Sequence, residues 1–323
     1  MSRPNEDQSW LAAAARLGER GRPGSAPNPA VGAIIVKRGC VIGRGWTMAG
    51  GRPHAEAAAL QQAGSAARGA TLYTTLEPCA HRSQRGPTCS DIIAQSGVSR
   101  VICGMLDPDP RTSGQGIKLL RNAGIAAEVA ASAPALASLA GYLKYKTTGR
   151  PSVTLKLAMS LDGKIALANG SSKWITGETA RNHVHVQRSR HDAIVVGGAT
   201  LRNDNPRLDV RLPGHQGTSP QRWVLSRSAA PESWGRLSSP AAITEMVGVQ
   251  YLYVEGGSSA AAAFLQSDLV DTLHIYRAPI IAGAGLDAVA GIGVANLADA
   301  HGRWRMTDRR QLGIDLFEAY ERC

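Results

Sequence analysis

At Thr147-Thr148-Gly149-Arg150-Pro151 the chain concentrates helix-ending residues, and on each side of this break a strand-and-helix series starts afresh. Proline lacks the backbone N–H and glycine adopts left-handed turns freely, so a helix arriving here stops and no core is expected to run through. With 323 residues the chain also exceeds what a single core usually serves. Two domains are expected, 1–148 and 149–323. In the first, apolar spacing predicts helices over 9–19, 54–62, 90–96, 116–122 and 134–145, and strands over 31–36, 40–46, 70–75 and 98–105. In the second it predicts strands over 152–158, 193–196, 222–225, 250–254, 272–276 and 316–320, with helices over 178–190 and 258–266. Alternation of this kind implies layered α/β architecture in both halves.

Several function classes are excluded by composition. Hydrophobic residues make up 43% of the chain, yet none of the apolar runs approaches the roughly 18 residues of a membrane span. The polar start, Met1 to Gln8, lacks the apolar core of a secretory signal, so a cytoplasmic location with no membrane partner is expected. Five scattered cysteines read as reduced thiols rather than a disulfide framework. The formal charge of +11 suits anionic metabolites. Nucleic acid is not the expected partner, because the basic residues are dispersed and only 5% of residues are aromatic.

His54-Ala55-Glu56 opens a predicted helix, Pro78-Cys79 follows a predicted strand, and Cys89 lies ten positions further on. One imidazole and two thiolates are ligands of the kind zinc prefers, and three of them leave the fourth position open, as catalytic sites do. Glu56 is placed to move protons to and from a water at that position. His-x-Glu followed by Pro-Cys and a later Cys matches the signature of zinc nucleobase deaminases. His81, two residues beyond Cys79, competes as a fourth ligand; with it the site would be closed and structural.

With Pro27-Asn28-Pro29-Ala30-Val31-Gly32, His54-Ala55-Glu56, Thr75-Leu76-Glu77-Pro78-Cys79-Ala80-His81 and Gly86-Pro87-Thr88-Cys89 in one order, the chain resembles the bifunctional riboflavin-biosynthesis deaminase/reductase family. The second half extends the resemblance through Leu155 to Ala166, Ser172-Lys173-Trp174-Ile175-Thr176, Arg188, Thr200, Asp204-Asn205-Pro206 and Arg211, so that roughly residues 10 to 285 are covered. The resemblance implies a cytidine-deaminase-like three-layer α/β/α domain followed by a dihydrofolate-reductase-like α/β domain. It implies two cofactors, Zn2+ and NADPH, and two reactions on a phosphoribosylated pyrimidine: loss of the 2-amino group, then reduction of the ribosyl side chain to ribityl. A homo-oligomer is expected. By the same resemblance Glu56 is catalytic and His54, Cys79 and Cys89 hold the metal. Ala158, Trp174, Thr200, Asp204, Gly257 and Ser258 face the cofactor, while Asn28, Ser172, Arg188, Leu208, Arg211 and Glu255 face substrate.

Read from the residues alone, several of these positions have a second meaning. Asn28 also fits a plain turn, Trp174 a core aromatic and Arg188 a solvated helix face. Gly256-Gly257-Ser258-Ser259, between an apolar strand and an Ala-rich helix, suits either a simple turn or a phosphate held on free backbone N–H groups. No G-x-G-x-x-G is present, so a Rossmann site is not supported.

Three features depart from the family pattern. The Cys79 to Cys89 loop is one residue longer and lacks Thr-Pro-Pro before its second cysteine; residues 227–249 form a short stretch; and Val224-Leu225-Ser226-Arg227 stands where an Asp-Ser pair would follow the strand. Two other functions therefore compete: a deaminase with a catalytically inactive reductase-like half, and a nucleic-acid deaminase.

Overall fold

The computed structural model describes residues 4–81, 86–215 and 217–323. The chain divides between Gly149 and Arg150 into two compact units. Among the described residues no helix is long and apolar enough to cross a membrane.

The first unit runs α1 (Pro4–Gly18), β1 (Gly32–Lys37), β2 (Cys40–Trp46), α2 (Ala55–Ala63), β3 (Thr71–Thr74), α3 (Cys89–Ser96), β4 (Arg100–Cys103), α4 (Gln115–Asn122), β5 (Ala126–Val129), α5 (Ala133–Ser138) and α6 (Ala140–Thr148). Its sheet has the order β2-β1-β3-β4-β5, with β1 antiparallel to β2 and β3 and the last three strands parallel. Side chains alternate across a strand, and here each face finds helices. Ile34 and Val36 pack with Leu11 and Ala14 of α1, whereas Ala33 and Ile35 pack with Ala55 and Ala59 of α2 and Ile93 of α3. Three α/β/α layers result.

The second unit contains β6 (Ser152–Met159), β7 (Lys164–Ala166), α7 (Glu178–Arg188), β8 (Ala193–Gly197), α8 (Gly198–Asp204), β9 (Gln221–Leu225), β10 (Gly235–Leu237), β11 (Tyr251–Val254), α9 (Ser258–Gln266), β12 (Thr272–Arg277), β13 (Leu286–Asp287), β14 (Trp304–Leu312) and β15 (Asp315–Arg322). Its main sheet has the order β10-β9-β8-β11-β6-β12-β15-β14. The strands from β10 through β12 run parallel, and β15 and β14 close the far edge antiparallel. Val153, Leu155 and Leu252 pack with Phe264 of α9 on one face. On the other, Ile194, Tyr253 and Tyr276 pack with Ala180 and Val184 of α7.

Some elements differ from the sequence expectation. The helix expected over 134–145 is two helices meeting at Leu139. Strands β5, β10 and β14 and helix α8 were not expected, and the strand expected over 98–105 is confined to Arg100–Cys103. The length departure in the Cys79 to Cys89 loop falls largely on residues 82–85, outside the described residues.

Candidate active sites

The first site is assembled at the carboxyl ends of β3 and β4 and at the starts of α2 and α3. His54 is the residue before α2, with extended backbone, and Glu56 lies in the first turn of that helix, 3% exposed. Cys79 follows β3 through Thr75-Leu76-Glu77-Pro78, and Cys89 is the first residue of α3. Thr88 caps α3, its hydroxyl accepting from the Asp91 N–H at 3.0 Å. The Cys89 N–H donates to Cys79 Sγ at 3.3 Å, so the positive end of α3 faces a sulfur that must ionise to bind metal.

His54 Nδ1 lies 3.2 Å from Cys89 Sγ and 3.6 Å from Cys79 Sγ. All three donor atoms lie within 4.8 Å of one another. Tetrahedral zinc, with Zn–S near 2.3 Å and Zn–N near 2.0–2.1 Å, sets N···S separations of roughly 3.5 Å, so this donor set fits the ion in chemistry and in spacing. His81 stands outside the cluster, its Nδ1 3.2 Å from Thr112 Oγ1.

Electrostatics point the same way. Hydrogen bonds from the Cys89 thiol and from His54 hold the Cys79 thiol well below its usual range, while sharing that bond and burial push Cys89 up. One thiolate is thus ready, and a cation would bring out the second. Burial raises the Glu56 carboxyl to about 6, within reach of both protonation states near neutrality.

Asn28, Arg52, Asp107, Asp109 and Lys146 line the same cavity as His54 and Glu56. Asp107 and Asp109 were missed in the sequence. Their signal was present in Asp107-Pro108-Asp109-Pro110, a turn at the carboxyl end of a parallel strand, where α/β proteins place ligands. Tyr142 donates to Asp107 Oδ1 at 2.9 Å, and Arg111 and Lys146 pair with Asp109 at 2.6 and 3.3 Å. Glu77 lines the cavity as well, and its carboxylate accepts from the N–H groups of Asp107, Gly114 and Ile117.

The second candidate site lies at the carboxyl ends of β6, β8 and β11. Gly257, extended, precedes α9, and a side chain built on it would begin 3.5 Å from Thr200 Oγ1. The two elements expected to face the cofactor thus adjoin, and the first-turn N–H groups of α9 can receive a phosphate. Ser258 is buried at that helix start, Ala158 is half-buried near the end of β6, and Asp204 is exposed at the end of α8. Trp174 is 68% exposed with the Arg181 guanidinium 4.7 Å above its ring, so it is no core aromatic.

Among the residues expected to face substrate, the fork of Arg188 is already engaged. Its Nε and Nη2 donate to Glu255 at 2.6 and 2.9 Å and its Nη1 to the Asp209 carbonyl at 3.1 Å. Arg188 is therefore a half-buried pairing residue rather than a solvated helix face. Lys156, 4.0 Å from Glu255, was missed by sequence reasoning, although a lysine between Leu155 and Leu157 in an apolar strand was its signal. Burial lowers the Lys156 ammonium, and Arg188 and Lys156 together hold Glu255 ionised. Leu208 is 3% exposed with a left-handed φ of 54°, Ser172 is half-buried, and Arg211 is exposed, 3.4 Å from Asp209.

Comparison with known proteins assigns both halves. Residues 4–105 match the cytidine and deoxycytidylate deaminase zinc-binding region, and residues 151–238 and 241–316 match the RibD C-terminal domain. The riboflavin biosynthesis protein RibD of Aquifex aeolicus is 35% identical over 98% of both chains. The chain belongs to the RibD family. RibD of Escherichia coli is 34% identical over 96% of this chain and 98% of that protein. Among solved structures, Acinetobacter baumannii RibD superposes with a TM-score of 0.89 at 33% identity, covering 99% of this chain and all of that one. A Thermotoga maritima diaminohydroxyphosphoribosylaminopyrimidine deaminase/5-amino-6-(5-phosphoribosylamino)uracil reductase gives 0.88 at 30% identity, covering 99% of each. As a RibD protein the chain is a zinc-dependent deaminase and an NADPH-dependent reductase of riboflavin biosynthesis.

Proposed function

We propose that the first unit removes the 2-amino group of 2,5-diamino-6-(5-phosphoribosylamino)pyrimidin-4-one and that the second reduces the ribosyl side chain of the product to ribityl with NADPH. The observation that carries the reading is the three-donor cluster of His54, Cys79 and Cys89 with the buried Glu56 carboxyl beside it, in the cavity that Asn28 lines. The Thermotoga relative bears both activities in its name.

Zinc held by those donors would lower the pKa of bound water from about 15.7 toward about 7. Glu56 takes the proton that the attacking water gives up and delivers it to the departing nitrogen, which leaves as ammonia. Asn28 holds the pyrimidine or its ribose. In the second unit Arg211, exposed and only loosely paired, is free to turn its guanidinium to the substrate phosphate. Arg188 orients Glu255 toward the ribosyl chain. Thr200, Gly257 and Ser258 hold the cofactor's phosphates, with Ala158, Trp174 and Asp204 around it. Both substrates are small phosphorylated pyrimidines, so the proposal has the enzyme working in the cytoplasm without nucleic acid, as a homo-oligomer that sedimentation velocity would detect.

Because each proposed set of residues lies within one unit, 1–148 should act as a deaminase domain and 149–323 as a reductase domain. A fragment ending at Gly149 and supplied with zinc is expected to release ammonia from the diaminopyrimidine. A fragment that is folded by circular dichroism and zinc-loaded, yet releases none, would refute the assignment.

A further inference from the structure

We propose that Asp315, at the tip of the β14–β15 hairpin, is a positioning residue of the reductase: it fixes the loop that carries Ser172 and Trp174. The proposal rests on the reductase reading of the second unit and adds a residue that acts through that loop.

The need for such a residue starts at α7. Gly177 is the residue before that helix, with extended backbone, and it brings no side chain to cap it. In a capping box the third helical residue reaches back with a carboxylate or amide to the N–H at this position, but here that residue is the buried Ala180. The local sequence therefore offers the Gly177 N–H no side-chain acceptor. Asp315 supplies one from β15, its Oδ2 accepting from the Gly177 N–H at 2.7 Å. A carboxylate there also meets the positive end of α7.

The turn of the hairpin brings it there. Leu312 and Asp315 are paired across the two strands, and Gly313 between them takes a left-handed φ of 66°. A side chain built on Gly313 would begin 3.3 Å from Thr179 Oγ1, so the tip lies against the first turn of α7. Asp315 is 1% exposed, and among the described residues its Oδ1 has no hydrogen-bond partner. Burying a carboxylate with one oxygen unsatisfied costs more than burying an apolar side chain would. Stability alone does not account for an acid at this place.

The bond holds more than the helix. Thr176 precedes Gly177, and its carbonyl accepts from Arg181 Nη1 at 2.6 Å, while the same guanidinium lies 4.7 Å from the centre of the Trp174 ring. Arg181 thus ties the 172–176 loop to α7, and Asp315 ties loop and helix to the sheet. At its other end α7 presents Arg188 to Glu255. Residues assigned above to cofactor and to substrate therefore hang on one helix, whose start is fixed by one buried carboxylate.

The test is fluorine NMR of the full chain carrying 5-fluorotryptophan, with the Trp174 resonance identified by Trp174→Phe, beside calorimetric titration with NADPH. Asp315→Ala should shift or broaden the Trp174 resonance while those of Trp223, Trp234 and Trp304 stay in place. It should also raise the Kd for NADPH about tenfold, the lower end of what a charge-assisted hydrogen bond contributes. Asp315→Asn keeps an oxygen acceptor and should recover most of both effects. If Asp315→Ala leaves the Trp174 resonance and the Kd as they were, or if the four tryptophans of the second unit all change together because the unit unfolds, Asp315 serves stability and the proposal falls. If the Trp174 resonance moves but the unmodified chain binds no NADPH, the loop is anchored as described and it is the reductase reading that fails, taking the positioning role with it.

Discussion

Glu56 sits in the first turn of a helix, where a carboxylate is favoured by the helix dipole, yet burial holds its proton to about 6. It stands outside the donor cluster of His54, Cys79 and Cys89, and the proposed role for it is that of proton carrier. Glu56→Gln keeps shape and most hydrogen bonding, so zinc content should stay near one per chain while deamination falls by about 10² to 10⁴. Cys79→Ser should lose zinc and deamination together. Metal analysis beside ammonia release separates the two, and loss of zinc from Glu56→Gln would make Glu56 a ligand or a structural support. His54, Glu56, Cys79 and Cys89 were legible in the sequence because motif order and residue type carry their chemistry. Asp107, Asp109 and Lys156 left only local signals there, an Asp-Pro-Asp-Pro turn and a lysine within an apolar strand; burial and partnership across the fold are what single them out. A second residue-scale consequence concerns pH. His274 is lowered from 6.5 to about 3 by burial and then by the charges of His191 and His183. Between those values the unfolded chain binds a proton that the folded chain refuses, so stability falls as pH drops below 6.5, by up to about 1.4 kcal/mol per pH unit. Burial lowers His183 and His185 in the same sense. Thermal unfolding of the second unit should move down between about pH 7 and 5, with a shallower slope in His274→Phe. Parallel slopes would contradict this account.

At the scale of elements, β1 is the strand on which both layers of the first unit close. Gly32 begins it, and a methyl group there would lie 1.9 Å from the Ala14 carbonyl oxygen of α1. Gly32→Ala forces helix and strand apart and should cost about 1–3 kcal/mol or more, read as a lower urea midpoint. An unchanged midpoint would mean that α1 is not held against β1. The same element shows why apolar spacing served well in the centre of each sheet: Ile34 and Val36 face one layer and Ala33 and Ile35 the other. It served poorly at edges. Strand β14 is nine residues long and mostly exposed, with Arg305, Arg309 and Arg310 along it, and it is held by pairing with β15 rather than by an apolar face. The break at Leu139 was invisible for the opposite reason: Ala135, Leu139 and Tyr142 are all buried, so the apolar stripe runs on through a helix that does not.

For the whole molecule, the two α/β series on either side of Gly149 could be read from local signals, but the order of strands could not. Strand β11 lies between β8 and β6, although both precede it in sequence, and this insertion sets Gly257 beside Thr200. Spacing along the chain says nothing of such a crossover, so the cleft proposed for the cofactor exists only once the strands are ordered in the sheet. On the proposed function one chain runs two reactions in order, the first unit making the substrate of the second. The most direct measurement is loss of NADPH absorbance with the undeaminated diaminopyrimidine, compared between the unmodified chain and Glu56→Gln. The unmodified chain should oxidise NADPH on this substrate, whereas Glu56→Gln should do so only when given the deaminated pyrimidine. Oxidation by Glu56→Gln at the unmodified rate on the undeaminated compound, or none by either protein on the deaminated one, would contradict the account.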